Sequence, residues 1–514
     1  MQQVDCARSI RGALHYAVRA IVSALLASIP AQSVSAAGTD IDLHALPKIA
    51  TIDPRFQSFN VEMVEVTGGR FWAPYSSQAG ERYAQRPPID LKARRLRILA
   101  KGLSPAYMRV SGTWANSTYV PSIDETPPSK PPSGFKQVLT QSQWRDVVAF
   151  ARENDLAIMT SFPVSDGSRG QDGRWLPDQA LRLLSLTRSM GGRIAAAEFF
   201  NEPNLTKLGS LPEGYGAADY ATDFATFRAF ARRLAPEMLI LGPGSSGEGG
   251  DVRPADMMQG VAGGVDAVSY HFYGALSQRC ADFGNQTSPD QALVEGWLSR
   301  TEKDHDYYAG LRDRFEPGKP IWLTETAQAA CGGSPWAATF RDTFRYVDQM
   351  GRLAKRGVKV IAHNTLAASE YALVDGATLE PRPSYWAALL WRRLMGTTVL
   401  QGPVISAPDV RIYAHCLRGN ANGVAVLAEN LGNSAQKLTL YGRVTAFVMT
   451  SSSLDSGSVA INGRPSAVGR DGALPRIHGE KVKGAISLPA HSISFLAVKN
   501  IGNPACVTAT LTGD

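Results

Sequence analysis

The stretches Phe199-Phe200-Asn201-Glu202-Pro203 and Ile321-Trp322-Leu323-Thr324-Glu325-Thr326 decide the reading of this chain. Each closes a short apolar run, 195–201 and 321–325, of the kind that forms a strand buried on both faces. Each glutamate is therefore expected at the C-terminal end of a strand. Six further runs share that character, at 59–64, 106–111, 157–162, 238–242, 267–271 and 358–364. Amphipathic helical patterns lie between them, at 91–103, 143–154, 178–190, 219–234, 290–314, 336–356 and 384–394. Strands alternating with helices across residues 52–396 predict an α/β fold, a (β/α)8 TIM barrel. A doubly wound sheet also alternates, but no Gly-rich phosphate loop follows any of these strands.

Beyond residue 396 the helical period disappears. Runs at 411–416, 423–430, 436–440, 444–450, 458–461 and 493–498 read as strands separated by Gly, Asn and Ser turns. They predict a C-terminal β-sandwich over 397–514, joined by residues 40–51. The single proline cluster, Pro127-Pro128-Ser129-Lys130-Pro131-Pro132, reads as a surface loop after the second strand.

The chain has 514 residues, 44% hydrophobic and 19% charged, a composition that excludes extended disorder. Its net charge of +7 leans only weakly towards a polyanionic partner, because solvated lysines and arginines give the same total. Nothing in the pattern calls for nucleic acid. Arg8, Arg11 and Arg19 precede an apolar stretch at 20–29 and the small residues Val34-Ser35-Ala36. Residues 1–36 thus read as a signal peptide, and the protein as exported, secreted or periplasmic. That stretch is too short to span a bilayer, and no stable membrane insertion is expected. Cys6 lies in the signal, leaving Cys280, Cys331, Cys416 and Cys506. Their wide spacing and the lack of C-x-x-C argue against zinc, and disulfides are the preferred reading.

Residues at the C-terminal strand ends of a barrel line its mouth. Glu202 and Glu325 fall on the fourth and seventh strands, which face each other across the ring. Carboxylates there can stand about 5 Å apart, the separation for glycosidic cleavage with retention: one protonates the leaving oxygen and the other attacks the sugar carbon. Taken singly, an Asn-Glu-Pro is common in surface turns; it is the pairing on two strand ends that carries the chemistry. Asn201 is placed to bond a sugar hydroxyl beside the reacting carbon. His271 and Tyr273 close the sixth strand, where Tyr273 can donate to Glu325, or the two can simply be aromatic lining. Gly332-Gly333 offers either an anion nest of backbone N–H groups or plain turn glycines.

These residues resemble one family, the heparanases and β-glucuronidases of glycoside hydrolase family 79, within the large clan of retaining barrel enzymes. The resemblance is carried by Leu99-Ala100-Lys101-Gly102-Leu103-Ser104-Pro105-Ala106-Tyr107-Met108-Arg109, Asn201-Glu202-Pro203-Asn204, Trp322-Leu323-Thr324-Glu325-Thr326 and Tyr371-Ala372-Leu373-Val374-Asp375. It continues through Pro383-Ser384-Tyr385-Trp386, Gly396-Thr397-Thr398-Val399-Leu400, Met449-Thr450-Ser451-Ser452 and Ile461-Asn462-Gly463. It implies Glu202 as acid/base and Glu325 as nucleophile of a covalent glucuronyl intermediate. It further implies that Gly332, Gly333 and Tyr371 bind the uronate carboxylate, that Glu62 touches sugar hydroxyls, and that His363 or Asn364 does so at the end of the eighth strand. Cys416 and Cys506 match a pair that fastens the family's sandwich, leaving Cys280 and Cys331 as a second bridge at the cleft rim.

Two departures stand out. The stretch 116–134, where vertebrate heparanase carries an excised segment, is short, so an active single chain is expected. The family's basic cluster after the fifth strand is replaced by Gly247-Glu248-Gly249-Gly250-Asp251-Val252-Arg253, with Arg169, Arg174 and Lys207 as candidate compensating cations. The expectation is a retaining endo-β-glucuronidase of heparanase type, monomeric, acting on a glucuronic acid-containing polysaccharide such as heparan sulfate or heparin. It needs no metal and no cofactor. An exo-acting β-glucuronidase, another clan specificity such as xylosidase or glucosylceramidase, and a non-catalytic carbohydrate-binding protein stay open.

Overall fold

Eight short strands with scarcely an exposed residue cannot offer either face to water, and the chain buries both by closing them into a ring. In the computed structural model, which describes residues 39–77, 81–403 and 405–507, these are β1 (Gln57–Glu62), β2 (Ala106–Ser111), β3 (Leu156–Thr160), β4 (Ile194–Glu198), β5 (Leu239–Ser246), β6 (Ala267–Tyr273), β7 (Ile321–Ala327) and β8 (Val360–His363). They are parallel, neighbours follow chain order, and Ile361 of β8 pairs with Gln57 of β1 to close the barrel. The outer layer is α1 (Arg94–Gly102), α2 (Gln141–Glu153), α3 (Asp178–Ser189), α4 (Ala217–Leu234), α5 (Pro254–Gly260), α6 (Arg300–Phe315), α7 (Phe340–Lys355) and α8 (Pro383–Leu394).

Three local features depart from the sequence reading. β1 stops at Glu62 because the chain turns into a short helix, Met63–Thr67, whose Glu65 carboxyl accepts the Glu62 N–H at 2.8 Å. The long pattern at 290–314 resolves into Glu295–Leu298 and α6. α5 was not anticipated; it starts with Pro254 in its first turn, where the missing N–H costs nothing.

The C-terminal region is an antiparallel layer of β9 (Met395–Leu400), β10 (Val410–Leu417), β11 (Val424–Asn430), β12 (Gln436–Thr450), β13 (Glu480–Leu488) and β14 (Ser492–Val498). Lys48–Thr51 adds to its edge beside β9. The two runs expected at 436–440 and 444–450 are one strand, β12, with a register shift between Leu440 and Val444. β13 pairs with it on both sides of that shift, Thr39–Ile41 pairs with Leu438–Leu440, and β14 pairs with Val444–Met449. Leu400, Ile412, Val426, Leu438, Ile486 and Leu496 fill the space between the layers. Tyr413, Leu427 and Phe495, on the opposite face, pack into the barrel's own core. The period-2 alternation of these strands thus serves two cores at once.

Cys416 is bonded to Cys506, tying β10 to the C-terminal turn, and Cys280 to Cys331, tying the loops after β6 and β7. The expected signal segment, 1–36, lies outside the described residues. Among those described, no helix is long and apolar enough to cross a membrane.

Candidate active site

At the C-terminal end of the ring a layer of charge replaces the apolar core. Arg109 of β2 is 1% exposed, and its guanidinium reaches Glu198 of β4 through Nε (3.0 Å) and Nη2 (2.8 Å), Glu325 of β7 through Nη1 (2.7 Å) and Asn201 Oδ1 through Nη2 (2.8 Å). Glu198 also accepts from Thr324 Oγ1 at 2.6 Å. Burial opposes the Glu198 charge, yet the arginine and His271 outweigh it and hold that carboxyl well below the usual range.

Glu325 lies within β7, two residues short of its end, rather than closing the strand. Besides Arg109 it accepts from Tyr273 Oη at 2.6 Å. Burial alone would raise its pKa, but His271, Arg109 and the Tyr273 hydroxyl bring it below the ordinary carboxylate value. Glu202 stands beyond β4, whose ladder ends at Glu198. The chain runs on without strand pairing, held by Phe162 N–H to Phe199 O and by Glu202 N–H to Gly244 O, and turns with φ +49° at Glu202. Asn116 grips the residue before it twice: its Oδ1 accepts the Asn201 N–H (3.0 Å) and its Nδ2 donates to the Asn201 carbonyl (2.9 Å).

His271 Nδ1 lies 3.2 Å from Glu202 Oε1, and its Nε2 faces Arg109 Nη2 at 3.2 Å. A guanidinium only donates, so Nδ1 carries a proton towards Glu202 in either charge state of the ring. Burial disfavours the charged ring, but Glu325, Glu198 and Glu202 prevail and push His271 up to about 9. Atoms of Glu202, His271 and Glu325 lie within 4.8 Å of one another, a set with the right elements for a cation. With Nδ1 protonated the imidazole has no lone pair free on that side, and the cluster fits proton handling better.

On the other side of Glu325, Asn364 Nδ2 is the hub. It reaches Glu62 Oε1 (3.0 Å), Tyr273 Oη (3.0 Å) and Tyr371 Oη (3.1 Å). Glu62 is buried beside Glu325, and both effects raise its pKa well above the usual value. Among the described residues its Oε2 has no partner, and it occupies the space a Cβ at Gly112 would need, 1.6 Å away, which with φ +91° makes glycine necessary there. His363 does not line the site. Its ring packs edge-on against Tyr346 of α7, Nε2 engages the Tyr371 carbonyl at 2.7 Å, and burial depresses its pKa to about 3. Strand alternation sends His363 outwards and Asn364 inwards, so of the two candidates Asn364 faces the cleft.

Cys331, Gly332 and Gly333 take three consecutive positive φ values of 62°, 82° and 78°. A Cβ on Gly333 would stand 3.1 Å from the Tyr371 N, so this turn abuts Tyr371. Among the described residues neither the Gly332 nor the Gly333 N–H has an acceptor. The candidate compensating cations are all engaged: Arg169 with buried Asp223 at 2.9 Å, Arg174 with Asp172 at 3.7 Å and Lys207 with Asp251 at 3.3 Å. Arg253 is paired with Asp256 at 2.8 Å.

The structure therefore gathers Glu202, Glu325, Asn201, His271, Tyr273, Glu62 and Tyr371, with Gly332 and Gly333 beside them. Sequence reasoning missed Arg109, Glu198 and Asn116. The signal for the first two was a charge inside an otherwise buried strand, Ala-Tyr-Met-Arg-Val-Ser and Ile-Ala-Ala-Ala-Glu. Asn116 gave none.

No protein-family model matches the chain. Heparanase of Gallus gallus is 27% identical over 481 residues, covering 81% of this chain and 90% of that protein. Hyaluronoglucuronidase of Hirudo nipponia is 23% identical, covering 81% of this chain and 92% of its own. The fold is shared with a GH51 arabinofuranosidase from Xanthomonas axonopodis pv. citri, with a TM-score of 0.61, 15% identity and coverage of 90% of this chain and 99% of that one. A charged barrel mouth bearing two apposed glutamates, on a chain that aligns over 81% of its length with each of these two relatives, makes this protein a glycoside hydrolase similar to the heparanases.

Proposed function

We propose that the protein is a retaining endo-β-glucuronidase that cleaves glucuronic acid linkages within heparan sulfate or a heparin-like chain. The observation that carries this is the pair Glu202 and Glu325, with oxygens within 4.8 Å, beside a turn whose two glycine N–H groups have no acceptor among the described residues. That proximity suits double displacement and leaves no room for the water an inverting enzyme places between its carboxyls.

The environments divide the roles. Glu325 is 8% exposed and receives two strong donors, so it stays ionised and aimed as the nucleophile at the anomeric carbon. Glu202 is 15% exposed and among the described residues its carboxyl bonds to His271 alone, which suits a group that must give and take a proton at the leaving oxygen. Attack by Glu325 expels the leaving alcohol as Glu202 protonates it; Glu202 then takes a proton from the water that releases the sugar. Gly332 and Gly333 N–H with Tyr371 receive the uronate carboxylate, and Glu62, Asn364 and Asn201 meet the ring hydroxyls. The internal mode of cleavage is supported by the relatives, named heparanase and hyaluronoglucuronidase. Two disulfides accord with an exported enzyme.

The test is incubation of the purified protein with heparan sulfate, followed by product sizing on gel filtration. Mid-sized fragments are expected early. Release of monosaccharide alone refutes internal cleavage and leaves an exo-acting glucuronidase.

A further inference from the structure

The turn proposed to hold the uronate carboxylate does not aim itself. In a trans peptide the C=O of one residue and the N–H of the next point in opposite directions, so whatever captures the carbonyl sets the N–H. The Cys331 carbonyl is captured by Ser277 Oγ (2.8 Å) and Arg279 Nη1 (3.2 Å), which turns the Gly332 N–H away from them. The Gly332 carbonyl accepts the Glu370 N–H at 3.0 Å, which turns the Gly333 N–H away in the same manner. The Gly333 carbonyl accepts from Arg279 Nη1 (3.0 Å) and Tyr75 Oη (2.9 Å).

One guanidinium thus holds two of these three carbonyls. Arg279 is itself fixed on every side: Nε donates to Ala73 O (2.8 Å), Nη2 to Glu370 (2.6 Å), and its plane lies under the Tyr75 ring at 3.9 Å. Its side chain is only 3% exposed. The Cys280–Cys331 bridge joins the residue after Arg279 to the first residue of the turn, so donor and acceptors share one covalent frame. Gly332 has no room to move towards it, since a Cβ there would meet Arg279 Nη1 and Trp72 Cγ at 2.9 Å each.

We propose that Arg279 is a positioning residue that sets the enzyme's selectivity for sugars bearing a carboxylate at C6, by holding the Cys331 carbonyl directly, and the Gly332 carbonyl through Glu370, so that the two glycine N–H groups face that carboxylate. The inference rests on the glucuronidase reading above. It assigns the discrimination between a uronide and the neutral hexoside to a residue that touches neither sugar. Arg279 also leaves a positive charge behind the turn, offset by Glu370 in contact with it, so orientation contributes more than net charge.

The experiment compares wild type, Arg279→Met and Arg279→Lys on 4-nitrophenyl β-glucuronide and 4-nitrophenyl β-glucoside, with melting curves to confirm folding. Arg279→Met is expected to lose about ten- to hundred-fold in kcat/KM on the glucuronide, carried by KM, with the glucoside rate nearly unchanged. Arg279→Lys, which keeps the charge but not the fork, is expected to recover only part of the loss. Equal losses on both substrates, or full selectivity in a folded Arg279→Met, overturn the proposal, and full selectivity in Arg279→Lys overturns the primacy of orientation. A wild type that does not prefer the glucuronide overturns the glucuronidase reading itself, and this inference with it.

Discussion

Glu65 offers a prediction that can be worked to a magnitude. It sits behind the site on the short helix Met63–Thr67, and its carboxyl accepts the Glu62 N–H at 2.8 Å, fixing the backbone from which Glu62 reaches the cleft. Burial pushes its pKa from 4.5 up to about 8, against the opposing pull of that N–H and of Arg86. The folded state therefore binds this proton more tightly than the unfolded chain does. The stability it contributes is fully present below about pH 4.5 and is lost as the pH rises towards 8. A shift of that size corresponds to about 5 kcal/mol across the whole window, and to about 3 kcal/mol at pH 7.

Glu65→Gln removes the titration while keeping an amide oxygen for the Glu62 N–H. Urea unfolding of both proteins at pH 5, 6, 7 and 8 measures the effect, and the other buried acids, present in both, largely cancel in the difference. The variant is expected to match wild type near pH 5 and to gain on it steadily, reaching several kcal/mol by pH 8. A difference that stays constant with pH refutes the reasoning, because it means that Glu65 ionises at its ordinary pKa in the folded protein.

Glu202→Gln is expected to abolish cleavage of polysaccharide while sparing part of the activity on activated aryl glucuronides, because a good leaving group needs little acid help. Equal loss on both substrates removes Glu202 from the acid role. Glu325→Gln is expected to remove turnover and covalent labelling by a 2-fluoro glycoside together, and labelling at another residue reassigns the nucleophile. Tyr273→Phe deletes a hydrogen bond to an ionised group, about 1.5–3 kcal/mol. It should also move the acid limb of the kcat/KM profile to higher pH, since the hydroxyl lowers the Glu325 pKa; an unmoved limb shows that the bond does not tune the nucleophile. Replacing Cys416 and Cys506 by serine opens a link of 90 residues and should cost about 4–5 kcal/mol in unfolding free energy, read by denaturant titration.

How much was legible depends on what each residue packs against. The barrel strands announced themselves because burial on both faces demands continuous apolar runs. β13 went unseen for the opposite reason: seven of its nine residues are exposed or half-exposed, including Lys481 and Lys483, so no pattern marks it. The two glutamates stood out because they interrupt apolar runs where a barrel displays its chemistry. Arg109 and Glu198 interrupt such runs as visibly, but each satisfies the other inside the ring, and only the closed barrel shows that both bear on the catalytic pair. His363 and Asn364 are adjacent in sequence and opposite in space, a distinction that the strand's alternation makes and family likeness does not. Arg279 was beyond reach, because three of its partners are backbone carbonyls, one of them 206 residues away, and a carbonyl leaves no trace in sequence.

The buried charges also explain why the site is built as a network rather than a pair. Arg109 is desolvated almost completely, a cost that its contacts with Glu198, Glu325 and Asn201 oppose. Such a cluster is poor evidence of stability, since apolar residues of equal volume would serve the core as well. What it provides is direction. Glu198 takes two of the guanidinium's donors and so turns a third, Nη1, onto Glu325, while Tyr273 fixes the other oxygen of that carboxylate. The nucleophile is thereby oriented from both sides before substrate arrives, which is the arrangement that lets binding energy go into the transition state instead of into ordering the enzyme. Arg279 repeats the device at the 331–333 turn with backbone in place of a side chain. In both cases the group proposed to meet the sugar is held by an arginine that is itself buried, and the specificity of the site is set one layer beneath its surface.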